Sequence, residues 1–79
     1  MSYYSNPFKY NITHHAVRRA RERLHLESYS SDYIHGKLEE YLEFSILVRE
    51  DFNGKVFKNP EHNITIIVDE YRRIIKTVY

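Results

Sequence analysis

Asn63-Ile64-Thr65-Ile66-Ile67-Val68-Asp69 is the stretch that decides the fold. β-Branched residues fill it from Ile64 to Val68 and are apolar on both alternating faces, which predicts a central strand covered on one side by helices. Downstream, Glu70 to Arg72 makes a short turn, and Arg73 to Tyr79 reads as the final strand. Upstream, Asn59-Pro60 turns the chain after a strand at Val56-Phe57-Lys58. Asn53-Gly54 is the strongest hairpin signal in the sequence. Before it, Ser45 to Arg49 carries the apolar run Ile46, Leu47 and Val48. Strands that follow one another through such short turns make a four-stranded antiparallel meander.

Ahead of Ser45 the period becomes helical. Ile34, Leu38, Tyr41 and Leu42 recur at the spacing of an amphipathic helix running from about Asp32 to Phe44. Gly36 inside it costs about 1 kcal/mol relative to alanine and is expected to mark close helix packing. Residues 27–32 break the pattern with good capping residues. Thr13 is the expected N-cap of an earlier helix ending near Leu24, with Ala16, Val17, Ala20 and Leu24 on its core face. Residues 1–11 read as an irregular arm with a turn at Asn6-Pro7, so the domain is expected to span residues 12–79. Two helices followed by four antiparallel strands define an α+β class.

Seventy-nine residues suffice for one domain with one core. The absence of cysteine excludes disulfides and thiolate metal sites, and fits a cytoplasmic protein. No apolar run approaches the ~20 residues of a membrane helix, and the polar N-terminus has no signal-peptide core. Neither a membrane nor a cofactor is therefore expected. A formal net charge of +1 argues against whole-molecule attraction to nucleic acid. Charge is distributed unevenly, however. Residues 14–25 gather basic side chains around the single Glu22, whereas Glu39, Glu40 and Glu43 make the second helix acidic.

The basic segment contains a stripe, His15-x-x-x-Arg19-x-x-x-Arg23, along one flank of the first helix. That flank borders the apolar face, so its side chains are expected half-buried at the rim of the helix–sheet contact, with heads free to converge over the sheet. An imidazole exchanges protons near neutral pH, and guanidiniums grip phosphate oxygens bidentately. The ordinary use of such a stripe is a solvated basic face paired locally with Glu22. His14 and His15 point about 100° apart and cannot share one substrate. Neither His25 nor His35 completes a metal site with them. At the other end of the chain, a strand puts Thr77 and Tyr79 on one face and Lys76 and Val78 on the other. A terminal tyrosine usually packs, but it can also stack on a base. Arg72 and Arg73 beside Tyr71, with Lys55 and Lys58, could extend a phosphate-contacting surface.

Ile12-Thr13-x-His15-Ala16-x-x-Arg19-x-x-x-Arg23, the apolar Ile64-x-Ile66-Ile67-Val68 strand and the terminal Ile75-x-Thr77-Val78-Tyr79 carry a resemblance. They resemble a family of short bacterial and phage proteins of uncharacterised function, placed with the RelE-like (barnase/EndoU/colicin-type) ribonuclease fold. The resemblance covers residues 12–79. It departs at Leu24-His25-Leu26, where the family often has glycine directly after the second arginine. It implies a RelE-like domain, toxin-like or phage-encoded, that cleaves RNA without metal through the 2′-hydroxyl. His15 would be the acid or base, Arg19 and Arg23 would stabilise phosphate charge, and Tyr79 would position or stack the nucleotide. Thr77 would lie close to them; together with the cationic Arg73 and Lys76, read from the residues themselves, it is expected to bind the substrate. Fold does not fix function. A non-catalytic protein that binds a host protein, or an RNA-binding module without turnover, fits the same residues.

Overall fold

A computed structural model describes residues 8–79 of the chain. Its elements are β1 (Asn11–Ile12), α1 (His14–Leu24), α2 (Ser31–Glu43), β2 (Ile46–Asp51), β3 (Gly54–Asn59), β4 (Ile64–Asp69) and β5 (Ile74–Val78). The two helices pack on a five-stranded mixed sheet of order β1-β5-β4-β3-β2. Strands β2 to β5 form the expected antiparallel meander.

The expectation of a four-stranded, purely antiparallel sheet is corrected at one edge. Asn11 and Ile12 pair in parallel with Ile74 and Ile75. Asn11 N–H donates to the Arg73 carbonyl (2.8 Å) and Thr13 N–H to the Ile75 carbonyl (3.3 Å). Two residues are too few to show a strand period, so this strand exists only because tertiary docking brings it beside β5.

Residues 8–10, which lead into β1, are fastened to α2. Phe8 stacks on the buried His35 at 3.8 Å between ring centroids. His35 Nε2–H donates to the Tyr10 carbonyl at 2.7 Å. Glu39 accepts both the Lys9 N–H (3.1 Å) and the Tyr10 N–H (2.9 Å). The Asn6-Pro7 turn expected from sequence lies outside the described residues.

The core lies between the helices and one sheet face. Ala16, Val17 and Ala20 of α1 and Ile34 and Leu38 of α2 meet Ile64, Ile66, Val68, Ile75 and Val78. The two alanines let α1 lie close to β5. The opposite sheet face carries Thr65, Ile67 and Asp69 of β4, which are only half-buried. No helix among the described residues is long and apolar enough to cross a membrane.

Gly54 differs from its sequence reading. The turn residues are Phe52 and Asn53, and Gly54 opens β3 with a φ of +132°. A Cβ there would come 2.5 Å from the Val68 carbonyl oxygen. Glycine is required there both for the positive φ and for the close approach to β4.

Candidate functional site

The last strand builds the site by breaking its own alternation. Thr77 lies opposite Ile67 and Ile75 opposite Val68, with Lys76 the extra residue of a β-bulge. Ile75 and Val78 both face the core as a result, and the two residues between them are left to the open face. A bulge of this kind re-aims a side chain. Lys76, expected to share a face with Val78, instead joins Thr77 and Tyr79 on the face without helices.

Helix α1 is stapled to the same bulge. Thr13 Oγ1 accepts the Ala16 N–H at 3.0 Å as N-cap and donates to the Lys76 carbonyl at 2.9 Å. The first turn of α1 therefore starts at the strand edge and brings His15 beside it. His15, Lys76, Thr77 and Tyr79 line one open depression of about 330 Å³, with Ile67 as floor and Asn53 on the far wall.

These side chains are differently committed. Lys76 Nζ reaches across to the Asn53 carbonyl at 2.8 Å. Thr77 Oγ1 is buried and has no hydrogen-bond partner among the described residues. A shielded hydroxyl in that state costs about 1–3 kcal/mol unless something pairs with it. Tyr79 is about half exposed, with the Arg19 guanidinium 5.9 Å from its ring centroid. His15 is exposed, and its Nδ1 accepts from Arg18 Nη2 at 3.2 Å. Because arginine can only donate, neutral His15 carries its proton on Nε2 in this arrangement.

The expected arginines lie near the depression without converging on it. Arg19 Nε donates to the Val78 carbonyl at 3.4 Å, and its Nη1 pairs with Glu22 at 3.5 Å. Arg23 donates to the Asn63 carbonyl at 3.0 Å, just before β4 begins. The stripe thus follows β5 toward its C-terminal end, each guanidinium held by a backbone carbonyl.

Arg73 is placed elsewhere. It sits at the end of the β4–β5 turn with a left-handed φ of 59°. Its Nε and Nη2 both donate to the Lys9 carbonyl, at 3.1 and 2.8 Å, and its guanidinium covers the Tyr10 ring. Tyr10 in turn donates its hydroxyl to Glu70. Burial, together with that bond to a carboxylate, pushes the Tyr10 phenol up to about 12. Arg73 belongs to this clamp on the N-terminal segment. Among the described residues, no group of three or more metal-ligating side chains gathers in one place.

Sequence reasoning missed Asn53, Ile67 and Arg18 as neighbours of the depression. Asn53 and Ile67 arrive through sheet register, which no local pattern encodes. The bulge had a faint signal in the three-residue spacing between Ile75 and Val78. Compared with protein-family models, curated proteins and solved structures, the chain matches none.

Proposed function

We propose that the depression grips single-stranded RNA at a phosphodiester, and that the chain acts there as a small RelE-like, metal-independent ribonuclease. One observation carries this reading: the bulge at Lys76 gathers an ammonium, a hydroxyl and a phenol on the open sheet face, beside His15 of α1. Lys76 supplies phosphate charge and the exposed Tyr79 ring a stacking surface for one base, while the unpaired Thr77 hydroxyl, shielded at rest, must turn outward to donate. Ile67 provides an apolar floor.

Cleavage at this place needs few parts. His15 takes the proton of the 2′-hydroxyl, O2′ bonds to phosphorus, the bond from phosphorus to O5′ breaks, and O5′ takes a proton from water. The products are a 2′,3′-cyclic phosphate and a free 5′-hydroxyl. Arg18 leaves Nδ1 when His15 acts as base, and its guanidinium is then free to face the phosphate. Lys76 must likewise exchange the Asn53 carbonyl for a phosphate oxygen, a charge-assisted bond of greater strength.

Binding without turnover is the second reading. Arg18 on Nδ1 favours it, since that contact leaves His15 presenting an N–H donor rather than a basic nitrogen. The test is incubation of full-length chain with end-labelled RNAs, with and without ribosomes. Cyclic-phosphate products that disappear with a folded His15→Ala variant support cleavage. RNA that is retained intact supports binding alone, and RNA neither bound nor cut overturns both.

A further inference from the structure

The edge of the sheet farthest from the depression carries a different surface. Every residue of β2 is exposed, and the strand has only β3 as neighbour among the described residues. Phe44, Ile46, Leu47 and Val48 stay between 46% and 69% exposed, side by side at the end of α2 and the start of β2. Edge strands are normally blunted by charges or bulges, because unpaired N–H and C=O groups recruit other strands. Here the protection covers only the second half. The bulge lies between Leu47 and Arg49, and Arg49, Glu50 and Asp51 follow it. The half before the bulge has an apolar rim and no charge.

We propose that this edge is a dimer interface, at which β2 pairs antiparallel with β2 of a second copy of the chain. A two-fold axis through the pairing requires one residue to face its own copy. Centred on Ile46, it sets Ile46 against Ile46 and Ser45 against Leu47, and brings Phe44, at the C-cap of α2, toward Val48, the bulged residue, at either end of the pairing. Registers centred on Arg49 or Glu50 would instead oppose like charges, which is destabilising. The uncharged half is therefore self-complementary where the charged half is not.

The area agrees. With ~150–250 Å² for a whole aromatic side chain and less for aliphatic ones, the exposed parts of these four residues sum to roughly 400 Å². A standard interface buries about 800 Å² per partner, a little over half of it non-polar. The patch supplies most of that non-polar share. The same axis runs perpendicular to the sheet, so both open faces lie on one side of the dimer. With strands ~4.8 Å apart, the two depressions would be roughly 30 Å from each other. The dimer does not depend on what the depression binds.

The cysteine-free chain provides a clean test. Sedimentation of the full chain should give twice the chain mass at micromolar concentration, and Ile46→Lys, which sets two ammonium groups face to face, should give a monomer. Circular dichroism should show that variant folded, since Ile46 is already mostly exposed. Under mild oxidation, Ile46→Cys should form a disulfide-linked dimer at least tenfold faster than Tyr71→Cys, a still more accessible position on a distant turn. Across an antiparallel pair the Cα separation suits a disulfide. A single-chain mass up to about 100 µM, a hundredfold above a micromolar Kd, would overturn the proposal. So would equal cross-linking of the two cysteine variants. Either result would leave the patch to another occupant.

Discussion

Tyr10 shows how much can rest on one side chain that sequence reading leaves inside an irregular arm. Its carbonyl accepts from His35, its N–H donates to Glu39, its hydroxyl donates to Glu70 and its ring lies under Arg73. Tyr10→Phe should destabilise the fold by about 1 kcal/mol, the usual worth of one such hydrogen bond. The pH dependence has a definite sign. The folded-state pKa, about 12, lies above the ordinary value of 10, so the phenol is held protonated by the fold. Its contribution is complete below pH 10 and is lost as pH rises through the folded value. Thermal melts of wild type and Tyr10→Phe should therefore differ most below pH 10 and converge by about pH 12. A constant difference across that range would mean that the phenol proton is not what the fold holds.

Among the elements, the helices and the four-strand meander were legible because their signals are periodic and local. Ile34, Leu38, Tyr41 and Leu42 mark α2, and the β-branched run marks β4. Other features follow from encounters between distant segments. The pair Asn11-Ile12 becomes a strand only against β5, and Lys76 changes face only because β5 bulges against β4. Arg73 was read as a substrate contact because its charge is visible in sequence, whereas its left-handed turn conformation is not. Gly54 lies between these cases: the glycine was visible, and its close contact with Val68 was not. Gly54→Ala combines a positive φ with a clash against backbone, and should cost about 1–3 kcal/mol. A urea titration checks this, with a lowered midpoint and an unchanged slope expected. A midpoint equal to wild type would show that the hairpin relaxes freely.

At the scale of the molecule, two surfaces divide the sheet. The β5 side, with α1 beside it, carries a polar depression proposed to take RNA, and the β2 edge carries an apolar strand proposed to take a second copy. The near-neutral charge of the chain makes the first proposal a local one: affinity must come from Lys76, His15 and Tyr79 rather than from a basic envelope. The most direct measurement is fluorescence anisotropy of a short labelled single-stranded RNA, titrated with wild type, Lys76→Ala, Tyr79→Ala and Arg73→Ala over a range of salt. Tyr79→Ala should weaken binding by about 5- to 150-fold, the loss of one base stack of about 1–3 kcal/mol. Lys76→Ala should weaken it and reduce the salt slope by about 0.7, one phosphate contact. Arg73→Ala, at the clamp away from the depression, should leave the salt slope unchanged. Equal losses in all three variants, or none in Lys76→Ala and Tyr79→Ala, would contradict an RNA site at the bulge of β5.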